Sequence, residues 1–194
     1  MTRFQSYALL GATALFAASA IVPPALAGGM KADRQQSAAV QQQALTAQNF
    51  VLYANNADLF QSEASKIAVQ RAQSSEVKVY AQQMAAQHAT STSRLTTAAR
   101  QAGITPTTPV LTVQMQQKLA ELQNASTNAF DERYITLLQE AQERELRLHN
   151  AYARSGDNAT LRAASNDTAQ MVAQHLAEAR RISTSITADR PTGS

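Results

Sequence analysis

Residues 130–152 read FDERYITLLQEAQERELRLHNAY, and their spacing decides the fold. Tyr134, Leu138, Ala141, Leu148 and Tyr152 fall on one stripe, with Glu145 filling the place between Ala141 and Leu148. Steps of three and four mark one face of an α-helix, whereas a strand alternates at every second residue. Three further segments repeat the pattern. They carry Phe50, Tyr53, Ala57, Phe60, Ala64 and Ile67; then Val77, Ala81, Met84, His88 and Leu95; then Leu161, Ala164, Thr168, Met171, His175 and Ile182. Four long amphipathic helices, each with one apolar face, predict an all-α antiparallel four-helix bundle.

Glycine and proline punctuate this pattern. Between Met30 and Asp189 the only glycines are Gly103 and Gly156, and the only prolines are Pro106 and Pro109. The first long helix is expected from Thr46 to Gln73. Ser74 and Ser75 offer caps for a second, Glu76 to Ala102, which Gly103 closes. Ile104 to Val110, with both prolines, reads as an extended crossover into a short extra helix, Leu111 to Gln123. Asn128 is expected to cap the third long helix, with Asp131 and Glu132 in its first turn, and Gly156 to end it. Asp157 or Asn158 caps the fourth, which runs to Thr184. The predicted domains are 1–27, an export signal; 28–48, a polar segment; 49–184, the bundle; and 185–194, a disordered tail.

The export signal rests on Arg3, the apolar run Tyr7 to Val22, the break at Pro23 and Pro24, and Ala25-Leu26-Ala27, which fits small-x-small cleavage before Gly28. The run is short for a bilayer, which needs about 20 apolar residues. No other stretch is apolar enough to span. These features predict an exported protein, periplasmic or secreted, with no transmembrane segment after cleavage. A net charge of +3 from 17 basic and 14 acidic residues is too weak and scattered for nucleic acid. The absence of Cys excludes disulfides, thiol redox chemistry, Cys-ligated zinc and a Cys-linked lipid anchor. Asn124, Asn158 and Asn166 begin N-x-[ST] tripeptides but are read as caps and surface, without glycans.

Several segments resemble a bacterial family. They are Phe60 to Ala68 (FQSEASKIA), Ser75 to Ala81 (SEVKVYA), Met84 to His88 (MAAQH), Ala129 to Tyr134 (AFDERY) and Ala173 to Leu176 (AQHL). Together they are similar to domain of unknown function 4142, over roughly Asn49 to Ile182. The resemblance implies a ferritin-like bundle in an exported protein, in a family whose members are often labelled outer membrane proteins. It implies no established activity. Family members carry a His twelve residues after the Phe of the Phe-Asp pair; here that position, counted from Phe130, is Gln142. An amide is a poor metal ligand beside imidazole.

All three histidines lie in the helical region. His88 and His175 stand on core stripes, as does Glu145. His149 follows Glu145 by one turn, and Glu63 stands between Phe60 and Ile67 at the edge of its stripe. A buried His or Glu is costly unless hydrogen-bonded, paired or metallated. One reading makes these five a metal site for zinc, manganese or copper, with His88, His175 and Glu63 as ligands and Glu145 or His149 assisting. The other makes them core residues bonded to Tyr80, Tyr134, Glu63 or backbone carbonyls. The Glu145/His149 pair also reads as an exposed contact between successive turns. A di-iron centre needs Glu-x-x-His on two helices. Ala85 and Val172 occupy the Glu positions before His88 and His175, so the motif is missing.

No nucleophile elbow, phosphate loop or nucleotide fingerprint is present. The functional expectations are therefore ordered. First stands a noncatalytic envelope protein with protein partners or a stress-related role. Next comes a periplasmic metal-binding bundle, and last a ferritin-type redox enzyme.

Overall fold

A computed structural model describes residues 45–188. The expected export signal, most of the polar segment 28–48, and residues 189–194 of the expected tail lie outside the described residues. Five helices and no strands are present among the described residues: α1 (Ala47–Arg71), α2 (Ser75–Gln101), α3 (Val113–Gln123), α4 (Thr127–Ser155) and α5 (Ala159–Ala188). The last helix continues to Ala188, so 185–188 are helical where a tail was expected.

Capping follows the sequence at most ends. Thr46 accepts from the Asn49 amide at 3.4 Å, and Asn158 Oδ1 accepts from the Leu161 amide at 3.1 Å. Gly103 follows the C-cap of α2 with φ +75°, in the left-handed region that favours glycine. The helix from Thr127 is capped by Ser126, not Asn128. Ala125 is buried in the core and fixes the turn there, which leaves Asn128 exposed inside the first turn. Gly156 is needed for a different reason from Gly103. It has no left-handed φ, but a Cβ there would stand 2.5 Å from the Tyr152 ring.

Cross-helix contacts set the directions. Asp58 meets His88 and Thr92, so α1 and α2 form an antiparallel hairpin. His149 meets Ser165 and Gln139 meets Ala179, so α4 and α5 form another. Tyr134 reaches Ser65 and Glu145 reaches Gln61, which sets α4 antiparallel to α1. Glu76 pairs with Arg181 and Tyr80 donates to the His175 carbonyl, which sets α5 antiparallel to α2. Helices α2 and α4 consequently run the same way, and the crossover must return along the bundle. It lies against α1: the Val110 amide donates to Asn56 Oδ1 at 2.8 Å, and Gln48 donates to the Thr105 carbonyl at 3.3 Å.

One end of this helical bundle is tied by side chains. Arg71, closing α1, donates to the carbonyls of Leu122, Gln123 and Ala125, at and just past the end of α3. Its guanidinium also covers the Phe130 ring at 4.8 Å. The Asp131 carboxylate accepts from the Gln73 and Ser74 amides at 3.0 and 2.7 Å and so caps α2 from another helix.

The apolar core is in two parts. Phe60, Tyr80, Met84, Phe130, Tyr134, Leu138 and Ile182 belong to one, and Phe50, Val51, Leu95, Ala99, Tyr152 and Leu161 to the other. Between them on every long helix lies polar sequence: Asn55, Asp58 and Gln61; His88 and Ser91; Glu145 and His149; Ser165 and His175. The inward face of α1 runs through Val51, Ala54, Asn55, Asp58, Gln61, Ser62, Ser65 and Ala68. Tyr53, expected on that face, is 45% exposed.

Candidate metal centre

The polar layer draws on all four long helices. Asp58 comes from α1, His88 from α2, Glu145 and His149 from α4, and His175 from α5. Asp58, His88 and Glu145 are each no more than 1% exposed. One ligand atom from each of these three lies within 4.8 Å of the others, the only such group of three among the described residues. Around one cation at about 2.1 Å tetrahedral ligands stand about 3.4 Å apart, so closure on a metal requires the most separated pair to approach by about 1.4 Å.

Hydrogen bonding orients the group. His88 Nδ1 is 2.7 Å from Asp58 Oδ1, and Thr92 Oγ1 donates to Asp58 Oδ2 at 3.2 Å. With its Nδ1–H given to the carboxylate, the neutral imidazole keeps its lone pair on Nε2. A ligating histidine is held in just this manner, by a carboxylate on its other nitrogen. Gln61 donates to Glu145 Oε2. His88 Nε2 and Glu145 Oε1 are buried without any partner. Unpaired buried polar atoms cost about 1–3 kcal/mol each, and both belong to residues of metal-ligating type.

Electrostatics point the same way. Burial raises the Glu145 carboxyl to about 7, opposed by His88 and reinforced by Asp58. Burial works to lower His88, but the Glu145 and Asp58 carboxylates outweigh it and its proton affinity ends raised. The metal-free layer therefore holds protons against two carboxylates. A divalent cation would replace those protons and leave no net charge buried.

The other expected residues divide. His149 lies beside Glu145, Nε2 to Oε1 3.8 Å, and is buried rather than exposed. Burial lowers its pKa to about 4, so the two are not an ion pair at neutral pH. The His175 ring stands 5.6 Å from that of His88, at 66°. Its Nε2–H donates to Gln87 Oε1, and its buried Nδ1 has no partner. Burial, then His88, lowers its pKa to about 4. Neither His149 nor His175 belongs to the group of three. Glu63 is a correction: it lies on the outer side of α1, bonded to Lys66 at 2.7 Å, because the inward face passes through Asp58, Gln61 and Ser62. Asp58 takes the place on α1 expected of Glu63. Its signal is present in the spacing Val51, Ala54, Asp58, Gln61, Ser65, Ala68, which is helical but mostly polar. Gln142 is fully buried and donates to the Tyr80 hydroxyl at 2.8 Å, with Met84 Sδ at 3.4 Å.

Two cavities approach the layer. One of about 440 Å³, between α1, α3 and α4, includes Phe60, Gln61, Met115 and Glu145 in its walls. Another, of about 510 Å³ between α2 and α5, is lined by Met84, Gln87, Ser91 and His175 among others. The first brings open space up to the helix turn that carries Glu145, whose side chain stays buried. No helix among the described residues is long and apolar enough to cross a membrane.

Comparison with known proteins gives one match: the family model described as Domain of unknown function (DUF4142) matches residues 32–182. No curated protein and no solved structure matches the chain.

Proposed function

Because the chain belongs to the DUF4142 family, which assigns no chemistry, we propose a function from its own residues: an exported helical-bundle protein that binds a divalent metal ion in its interior. The observation that carries this is the convergence of Asp58, His88 and Glu145, buried and with ligand atoms within 4.8 Å of one another. Buried atoms without a partner on two of these residues, His88 Nε2 and Glu145 Oε1, support it. Mixed imidazole and carboxylate donors suit zinc, manganese or copper(II).

The two antiparallel hairpins, joined by a crossover that leaves α2 and α4 running the same way, support a ferritin-like four-helix arrangement. Export is proposed from Arg3, the Tyr7 to Val22 run and Ala25-Leu26-Ala27. It places the bundle in the periplasm or outside the cell, or against the outer membrane. A purely protein-binding role has a thinner basis. Large exposed apolar side chains among the described residues are Tyr53, Val79, Val110 and Val113.

Elemental analysis of the mature protein, purified from the periplasm without a His-tag, tests the proposal. Near-stoichiometric zinc or manganese, lost in His88→Ala and Glu145→Gln, is the expected result. No metal as isolated, and none retained after exposure to zinc, manganese and copper, would overturn it and leave the layer as core packing.

A further inference from the structure

We infer that His149 is a second nitrogen ligand of this centre and that Ser165 on α5 sets its tautomer; the inference rests on the metal-binding reading. Ser165 is fully buried, and its hydroxyl touches His149 twice. Oγ lies 3.2 Å from the His149 carbonyl oxygen, to which it can only donate. It also lies 3.1 Å from His149 Nδ1. A hydroxyl has one proton. With that proton on the carbonyl, Oγ accepts Nδ1–H, and the lone pair of the neutral ring is on Nε2. The same arrangement holds His88, where Asp58 takes the Nδ1 side. In their neutral forms two imidazoles from different helices are each anchored at Nδ1, which leaves Nε2 as the ligand atom. The edge of Phe50 against the His149 ring, centroids 5.3 Å apart at 89°, fixes its plane.

The His149 Nε2 to Glu145 Oε1 distance of 3.8 Å discriminates what belongs between them. It is too long for a hydrogen bond, which spans about 2.7–3.2 Å. A water at about 2.8 Å from each atom would need an angle of about 85°, far below tetrahedral. A cation at about 2.1 Å from each subtends about 130°, and relaxation by about 0.4 Å brings the pair to the tetrahedral separation of about 3.4 Å. With Glu145 ionised, the two facing lone pairs are stabilised by a cation between them. The layer then supplies two imidazole nitrogens and the Glu145 carboxylate, with Asp58 on the Nδ1 side of His88 as its orienting partner. That set matches the charge of a divalent ion and selects a borderline metal of the zinc class over magnesium or calcium, which take oxygen ligands.

The test uses the full mature protein stripped of metal, with cobalt(II) as spectroscopic probe and zinc competition for affinity. His149→Ala and His149→Gln are expected to bind zinc more than 100-fold more weakly, on the order of the largest outer-shell effects or beyond, and to change the visible cobalt absorption. Ser165→Ala is expected to bind about 10–100-fold more weakly while keeping the cobalt absorption of the wild type. Imidazole 15N NMR of the zinc-loaded wild type should show His149 with its proton on Nδ1 and metal on Nε2; this reading needs no variant and decides the matter if a variant fails to fold. A wild type that binds zinc while His149→Gln binds equally tightly with an unchanged spectrum overturns the inference and leaves the metal-binding reading standing. A wild type that binds neither ion overturns that reading itself.

Discussion

Replacing Glu145 by Gln should change stability with a sign that depends on pH and on metal. In the metal-free protein, burial, opposed by His88 and reinforced by Asp58, raises the Glu145 carboxyl from 4.5 to about 7. The unfolded chain ionises this group at its ordinary value. Between those two points the folded state holds a proton that the unfolded state has released, so the unfolded state gains as pH rises. The contribution of Glu145 is complete below pH 4.5 and is lost as pH climbs through 7. The loss is on the order of 3 kcal/mol, at about 1.4 kcal/mol for each tenfold change in proton affinity. Gln carries no titrating proton and can still accept the amide of Gln61. Metal-free Glu145→Gln should therefore gain on the wild type by that order between about pH 4.5 and about pH 8. With metal present the ranking reverses, because a ligand at 1,000 times its dissociation constant stabilises the wild type by about 4.1 kcal/mol. Urea denaturation of both proteins at the two pH values, with chelator and with zinc, measures this. A metal-free difference that is the same at both pH values would refute the charge balance argued for the buried layer.

Three further outcomes are expected. Gly156→Ala should cost about 1–3 kcal/mol, seen as a lowered Tm, because the new Cβ meets the Tyr152 ring at 2.5 Å. Asp131→Ala should cost about 1–2 kcal/mol in urea denaturation, since it frees the Gln73 and Ser74 amides at the start of α2. Glu63→Gln should leave metal content unchanged and shift stability by under about 0.5 kcal/mol, since its partner Lys66 is on the surface; loss of metal would restore Glu63 to the ligand set.

The helices were legible because glycine and proline are so sparse, and because three of the four long helices carry apolar residues on the side that is buried. Their polar members, His88, Glu145, His149 and His175, stood out against that apolar background, and all four are buried. Of the stripe expected on the first long helix Phe50, Phe60 and Ala64 are buried, while Tyr53 is exposed. The inward face of that helix holds Asn55, Asp58, Gln61, Ser62 and Ser65, so counting apolar residues turns the helix toward Tyr53 and Glu63. Asp58 was hidden by the property that makes it interesting: a charged residue is read as solvated unless something shows what it faces. The tautomers of His88 and His149 depend on residues 30 and 16 positions away, and spacing along one helix carries no information about those contacts.

The division of the apolar core has a consequence for how the molecule opens. Each end of the bundle has its own cluster, one around Phe130, Tyr134 and Ile182 and one around Phe50, Tyr152 and Leu161; between them α1, α2 and α4 bring polar residues, and α5 alone adds the buried apolar Ala169, Val172 and Leu176. Apolar packing across that waist is thin, so without a cation the two ends are weakly coupled and open with different hydrogen-exchange free energies. An ion held at once by α1, α2 and α4 would fuse the two into one unit. Its effect on amide protection would then reach the far tips of the helices, well away from any atom that touches it.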